Sequence, residues 1–268
     1  MREGHDPLAT GHVGLAFAVT AAAGLCTLLG ALLVARADRG DPRLLPLALA
    51  FSGGAMVYVS LVEILPKGAA ALAQEWDDRG GYALATGFFF LGVGLLVLLD
   101  RLVPNPHGDA HAGGAGDHAH ARRLGLLTAA AITAHNLPEG LATFFATLDN
   151  PTLGAPLAVA IALHNIPEGV SIAVPVFVAT GSRGKAALAA LVSGLAEPLG
   201  ALLGWLVLGP VLTPGVMGAV FAVIAGAMVF LALDELLPAA QRHARGHDAA
   251  YAMVAGMAVL ATSLVLFR

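Results

Sequence analysis

The chain has 268 residues, of which 57% are hydrophobic and only 12% are charged, and its formal net charge is −4. A soluble domain carries about 25% charged residues, so this composition, with a mean hydropathy of +0.79, excludes an ordinary soluble enzyme or binding module. We expect an integral membrane protein that is partnered by the lipid bilayer and binds no nucleic acid. The single cysteine, Cys26, cannot form an intrachain disulfide.

Runs of roughly 20 apolar residues, the length that lets a helix cross a bilayer, occur eight times along the chain. They predict an all-α membrane protein with eight transmembrane helices and a single domain over residues 1–268. The predicted spans are residues 12–35, 44–65, 82–103, 124–147, 153–179, 185–209, 215–237 and 249–267.

The orientation in the membrane follows from the positive charges, because Lys and Arg concentrate in cytoplasmic loops. Ten of the fourteen Lys and Arg residues lie in or beside the connections between predicted helices 1 and 2, 3 and 4, 5 and 6, and 7 and 8. Only four lie on the other side: Arg2, Lys67, Arg79 and Arg268. We therefore predict a multi-pass protein of the cell membrane with both termini outside the cytoplasm.

The first predicted helix carries no Asp, Glu, Lys or Arg and is expected to be scaffold. The second is expected to end near Pro66, and Glu63 lies three residues before that proline. Two interpretations of Glu63 stay open. It is either an interfacial carboxylate at a helix end or a ligand at the entrance of a binding site.

Residues 104–123, between the third and fourth predicted helices, are rich in Gly, Ala and His and have no apolar periodicity. We expect a flexible cytoplasmic loop there. Two interpretations of its histidines stay open: they bind metal loosely, or they have no function and reflect the low complexity of the segment. These histidines are His107, His111, His118 and His120.

The fourth and fifth predicted helices each contain a His-Asn-x-Pro-Glu-Gly motif. A helix turns about 100° per residue, so the His and the Glu of each motif share one face and the Asn flanks it. The glycine after each glutamate removes bulk, which lets another helix come close. The two copies are His135-Asn136-Leu137-Pro138-Glu139-Gly140 and His164-Asn165-Ile166-Pro167-Glu168-Gly169.

Both motifs are expected at the same depth. His135 and His164 are each the twelfth residue of their predicted span, about 18 Å along a helix that rises ~1.5 Å per residue, near the middle of a ~30 Å hydrocarbon core. The short turn Asp149-Asn150-Pro151 makes the two helices antiparallel neighbours. Imidazole, amide and carboxylate groups from two helices would therefore meet at the midplane, as in a metal site.

The sixth predicted helix adds Glu197, which precedes Pro198 at about mid-span. The seventh repeats the second, because residues 54–66 match residues 226–238 at eight of thirteen positions. Since those two helices run in opposite directions, the chain is expected to contain inverted repeats, an architecture of transporters that alternate their access. Asp234 and Glu235 lie in the second copy.

Charge balance points to a mobile cation. Glu139, Glu168 and Glu197 lie in stretches that contain no Lys or Arg, and neither does the interval between Arg43 and Lys67 that holds Glu63. A carboxylate at the bilayer centre costs about 2.5–3.5 kcal/mol on insertion scales. Either the acids are protonated or a cation is their partner. Neighbouring His and Asn side chains favour a divalent transition metal over Na⁺.

These motifs resemble the ZIP family of divalent-metal transporters, most of all its ZupT/GufA branch, and the resemblance covers essentially the whole chain. It implies a two-metal site on the fourth, fifth and sixth helices. Glu139 and Glu168 would bridge both ions, Glu197 would complete the second position, and Glu63 falls where the family has a variable ligand. The implied ligand set is His135, Asn136, Glu139, His164, Asn165, Glu168, Glu197 and Glu63.

The resemblance also implies import into the cytoplasm, with Zn²⁺ as cargo and Fe²⁺, Mn²⁺, Co²⁺ and Cd²⁺ as further cargo. No prosthetic group and no enzymatic activity are expected. Asp234 and Glu235 would act at the cytoplasmic exit. A homodimer is compatible with the sequence but is not required by it.

Two rival classes fit less well. An intramembrane metalloenzyme would need a residual acid or base beside its metal, and the chain has no His-Glu-x-x-His motif. A haem protein with His135 and His164 as axial ligands would place carboxylates and amides against the porphyrin. A purely structural or receptor protein leaves the midplane acids unexplained.

Overall fold

The computed structural model describes residues 12–36, 43–102, 133, 136–211 and 213–266. We number the helices of these residues in chain order. The first three uninterrupted helices are α1 (Val13–Arg36), α3 (Asp78–Leu102) and α4 (residues 136–149). They are followed by α5 (Pro151–Thr180), α6 (Arg183–Leu208, with a short 3₁₀ turn Gly209–Val211 after it) and α8 (Asp248–Leu266).

Helices α2 and α7 are each built from three consecutive segments. α2 comprises Leu44–Val59, the π-helical Ser60–Ile64 and Leu65–Ala73. α7 comprises Pro214–Leu231, the π-helical Ala232–Leu236 and Leu237–His243.

Seven helices of the described residues are long and apolar enough to cross a membrane, namely α1, α2, α3 and α5 to α8. This confirms an all-α membrane protein and seven of the predicted spans. The fourth predicted span, 124–147, begins outside the described residues, and its described part is helical to residue 149. The predicted loop 104–123, with His107, His111, His118 and His120, also lies outside the described residues.

The expectation that Pro66 and Pro238 end their helices is wrong. Proline lacks an N–H and crowds the carbonyl four residues back. In both helices a π segment comes just before the proline and widens the turn. The Leu65 N–H donates to the carbonyl of Ser60, and the Leu237 N–H donates to that of Ala232. These i→i−5 bonds add one residue to the turn, so both helices continue past the proline.

The two π segments occupy equivalent places in the sequence repeat. The offset of 172 that aligns residues 54–66 with 226–238 also carries Ser60–Ile64 onto Ala232–Leu236. The repeat is therefore structural as well as sequential. It places Glu63 and Glu235 at the same position of the two π segments.

The connection between α4 and α5 is the predicted short turn. Asn150 alone separates the two helices, and its side-chain oxygen accepts a hydrogen bond from the Thr152 N–H at 3.0 Å. Pro151 takes the first helical position, where its missing N–H costs nothing. A Cβ added to Gly154 would lie 2.5 Å from the Thr147 Cα, so the two helices touch directly beside the turn.

Close helix crossings are made at glycines in contact with backbone. Gly92 and Gly226 join α3 to α7, because a Cβ at either would overlap the backbone of the facing helix. Gly54 and Gly256 join α2 to α8 in the same way. Small residues at such crossings are how helices pack inside a bilayer, where the hydrophobic effect does not drive association.

The helices form two sets. α1 packs against α5 and α6, while α8 packs against α2 and α3 packs against α7. α5 also contacts α2 and α8, so it lies between the two sets and carries the second motif into the centre. Large apolar side chains cover the outside, as lipid contact requires, among them Leu98, Leu188, Leu206 and Val254.

A matched pair of glycines tests the crossing of α3 and α7. Gly226→Ala is expected to lower the Tm of the purified protein by several degrees, because the new methyl group meets the Phe89 backbone and overpacking costs about 1–3 kcal/mol. Gly94→Ala is the control, since a Cβ there meets nothing within 4 Å. Its Tm should stay equal or rise. Equal Tm values for both variants would contradict the crossing.

Candidate metal centre

The described polar residues of both motifs are buried. Asn136, Glu139, His164, Asn165 and Glu197 are 0% exposed, and Glu168 is 1% exposed. Asn136 and Glu139 come from α4, the next three motif residues from α5 and Glu197 from α6. His135 lies outside the described residues. Residues that lie far apart in sequence are thus buried together in the interior of the helix bundle.

Three of these side chains converge on one point. The ligand atoms of Glu139, His164 and Glu168 lie within 4.8 Å of one another. The Nε2 of His164 is 2.5 Å from the Oε1 of Glu139, yet neither atom makes a hydrogen bond of proper geometry. The imidazole and the two carboxylates therefore share one small buried volume.

The two asparagines are oriented by their amide nitrogens. The Nδ2 of Asn136 donates to the carbonyl oxygen and the Oγ of Ser193, at 3.2 and 3.1 Å. The Nδ2 of Asn165 donates to the Ala23 carbonyl at 2.9 Å and to the Oε1 of Glu197 at 2.5 Å. Because the donor end of each amide is held by α1 or α6, the acceptor oxygen of each is left for another partner.

Apart from Glu197 Oε1, the carboxylate and amide oxygens of this cluster lack hydrogen-bond donors. Buried polar groups are nearly always hydrogen-bonded, so this accumulation calls for a cation or for bound protons. Within the described part of the chain, no Lys or Arg lies within 4.0 Å of the three glutamates. The unpartnered atoms are Asn136 Oδ1, both Glu139 oxygens, both His164 ring nitrogens, Asn165 Oδ1, both Glu168 oxygens and Glu197 Oε2.

Such a set fits a divalent transition metal. Imidazole nitrogen and carboxylate oxygen are ligands of Zn²⁺, and the same atoms suit Fe²⁺ and Mn²⁺. Nothing about the set needs a prosthetic group. What the arrangement can do chemically is hold a dication in an otherwise apolar interior.

Glycines set the spacing of the site, as the motifs predicted. A Cβ on Gly140 would overlap the backbone of Glu197, and one on Gly200 would overlap that of Leu137, so α4 and α6 touch at the level of the ligands. A Cβ on Gly169 would overlap the Thr27 backbone of α1. The motif glycines therefore let α4 approach α6, and α5 approach α1, directly beside Glu139 and Glu168.

Glu63 lies apart from the converging group. It is 5% exposed and its Oε1 is 3.1 Å from the Nζ of Lys67. The sequence argument that no basic side chain is available to Glu63 is therefore wrong. The predicted span ends before Lys67, whereas the extended α2 carries Lys67 within the helix, one turn after Glu63.

The acids of the second π segment also lie outside the converging group. Asp234 is exposed and lines a groove of about 320 Å³ between α3 and α7, together with Phe89, Phe90 and Phe230. Glu235 is half-buried. Their predicted exit role stays a prediction.

Sequence reasoning missed two contributors to the site. Ser193 accepts a hydrogen bond from the Asn136 side chain, and the Ala23 carbonyl accepts one from the Asn165 side chain. Ser193 had a readable signal, because it lies four residues before Glu197 and so shares a helix face with it. A backbone acceptor such as Ala23 leaves no signal in the sequence.

Known proteins resemble this chain over nearly its full length. The family model described as "ZIP Zinc transporter" matches residues 101–263. The proteins named "Zinc transporter ZupT" from Xanthomonas axonopodis pv. citri (strain 306) and Stenotrophomonas maltophilia (strain R551-3) are 56% and 55% identical to it over 261 residues. That of Neisseria meningitidis serogroup B (strain MC58) is 57% identical over 261 residues, covering 96% of this chain and 97% of the relative.

Zinc binding by the purified protein tests the cluster. Saturating Zn²⁺ should raise the Tm, since a ligand at 100 times its Kd adds about 2.7 kcal/mol of stability. Glu139→Gln should abolish most of that rise, because it removes the carboxylate nearest His164. The control is Glu75→Gln. Glu75 accepts from the Gly215 N–H at 2.8 Å and caps α7, so this change lowers the starting Tm but leaves the zinc response. A full response in Glu139→Gln would contradict the site.

Proposed function

The chain belongs to the ZIP zinc transporter family, and from that membership we propose that it imports Zn²⁺ into the cytoplasm through a metal site between α4, α5 and α6. It is a multi-pass membrane transporter of Zn²⁺ and not an enzyme. The intramembrane metalloenzyme is thereby ruled out.

One observation carries the proposed site, namely the buried acceptor atoms of Glu139, His164 and Glu168 without hydrogen-bond donors. Three glutamates at 0–1% exposure, without Lys or Arg beside them in the described residues, call for bound protons or for a cation. A dication that passes through meets this need, because metal binding to carboxylates and neutral imidazole replaces protons.

We assign two overlapping positions to the cluster. The His-rich one uses His135 and His164 and is the transport position. The other uses the freed oxygens of Asn136 and Asn165 with Glu197. Glu139 and Glu168 bridge both. The orientation of the two amides supports the second position, since their nitrogens are engaged by α1 and α6.

The cargo extends beyond zinc in this proposal. Nitrogen and oxygen ligands of this kind bind Fe²⁺, Mn²⁺, Co²⁺ and Cd²⁺ as well as Zn²⁺, in an order set by the metal rather than the ligand type. The ions reach the cluster from outside past Glu63 and leave near Asp234 and Glu235. Glu63 and Glu235 occupy equivalent positions of the two repeats.

Alternating access is proposed to occur between the two helix sets. In this account α1, α4, α5 and α6 move against α2, α3, α7 and α8, with the repeats of α2 and α7 in opposite orientation across the midplane. Transporters built in this way rock one set around a central site. The packing of α1 on α5 and α6, and of α8 on α2, supports the grouping.

Uptake into proteoliposomes tests the ligands. Glu139→Ala and Glu168→Ala should each lower Zn²⁺ uptake about tenfold or more, by analogy with losses at metal sites, and should lower Cd²⁺ and Mn²⁺ uptake in parallel. Ser171→Ala is the control, because its hydroxyl bonds only to its own helix at Pro167. Undiminished fluxes of all three metals in both glutamate variants would refute the assignment.

The proposed orientation can be checked by cysteine accessibility in whole cells. In a Cys26→Ala background, Trp76→Cys in the α2–α3 connection should react with a membrane-impermeant maleimide. Ser182→Cys in the α5–α6 connection should react only after permeabilisation. The opposite pattern would place the termini in the cytoplasm and reverse the proposed direction. Zinc uptake by each variant confirms that it is folded.

A further inference from the structure

Lys67 is the only basic residue between Arg43 and Arg79, and the structure places it inside a transmembrane helix. It lies six residues before the end of α2 at Ala73, about 9 Å from that end at 1.5 Å per residue. Its side chain is 24% exposed, whereas that of its partner Glu63 is only 6% exposed. A buried acid is thus covered by a basic group that is itself partly exposed.

The geometry around the pair is fixed by the backbone. Pro66 follows the π segment and lies between Glu63 and Lys67, and Gly68 packs against Gly218 of α7, where a Cβ would lie 2.9 Å from the Gly218 oxygen. Leu61 and Val62 point outward, at 43% and 39% exposure. The helix therefore turns Glu63 inward and holds it there, so the mobile partner of the pair is the lysine.

The Glu63–Lys67 pair occurs in only one of the two repeats. The offset of 172 carries Glu63 onto Glu235, but it carries Lys67 onto Ala239. Only the copy in α2 therefore supplies a basic residue one turn after its glutamate. A pair whose only role was to stabilise the π segment would be expected in both copies.

We propose that Lys67 is a tethered counter-ion that occupies Glu63 in the metal-free protein and is displaced when a divalent cation arrives. The ammonium neutralises a buried carboxylate on the proposed route past Glu63. A dication competes for the same oxygen, and the flexible lysine stem swings toward solvent. Lys67 is thus a positioning residue that sets how strongly an incoming ion binds at the entrance. This inference rests on the proposed function.

Amine labelling provides a direct test, because the chain has only two lysines, Lys67 and Lys185. The purified protein is treated with a membrane-impermeant N-hydroxysuccinimide ester, with and without Zn²⁺, and each lysine is quantified by peptide mass spectrometry. Zn²⁺ should speed the labelling of Lys67 several-fold. Lys185, exposed at the start of α6, is the internal reference and should not change.

Kinetics of uptake provide the second readout. Lys67→Gln should lower the KM for Zn²⁺ roughly two- to fivefold, the factor that corresponds to a partly exposed ion pair, while Lys67→Arg should stay close to wild type. In a Glu63→Gln background, Lys67→Gln should have no further effect. Lys185→Gln controls for the loss of one positive charge. A Lys67→Gln effect of equal size with and without Glu63 would mean a general electrostatic field and would overturn the proposal.

The outcomes separate this inference from the transport proposal. In Glu139→Ala/Glu168→Ala, Zn²⁺ should still speed the labelling of Lys67, since that response needs Glu63 and not the central cluster. If uptake survived in the double variant, the central assignment would fail while the labelling result still decided the role of Lys67. Zn²⁺-independent labelling together with an unchanged KM in Lys67→Gln would reduce the pair to a helix-stabilising contact and refute the inference.

Discussion

The arrangement of this protein depends on one constraint: negative charge and unshared lone pairs are costly in an apolar interior unless a partner is present. Glu139, Glu168 and Glu197 are essentially fully buried, and the described residues give them no Lys or Arg. Their amide neighbours direct nitrogen to α1 and α6 and leave oxygen for the centre. The interior therefore calls for bound protons or for a cation, and the second suits a zinc transporter.

Close backbone contact makes that concentration of acids achievable. Gly140 and Gly200 let α4 and α6 touch, and Gly169 lets α5 touch α1 at Thr27. Bulkier residues would separate the helices and move the carboxylates apart. Small residues in membrane helices usually serve association alone. Here they also fix the distance between the buried acids and amides of different helices.

Much of this was readable in the sequence, because apolar length predicts membrane helices and His-Glu spacing predicts a shared helix face. The continuation of α2 and α7 beyond Pro66 and Pro238 was not, because a π segment that accommodates a proline has no distinct composition. The Glu63–Lys67 pair could not be predicted for the same reason, since the predicted span ends at residue 65 and leaves Lys67 outside the helix. The roles of Ser193 and the Ala23 carbonyl depend on contacts between helices, which a single sequence does not specify.

The π segments have a consequence for how α2 and α7 tolerate change in length. Each contains one residue more than the α-helical turn it replaces, so the helix beyond it is rotated by about 100° relative to an uninterrupted helix. Deleting Ser60 would therefore allow ordinary α-helical winding with Lys67 still one turn after Glu63 and Gly68 still facing Gly218, whereas forcing the full-length segment into ordinary winding would turn Gly68 away from Gly218 by about that angle. In these two helices the residue count, and not only residue identity, determines which side chains meet.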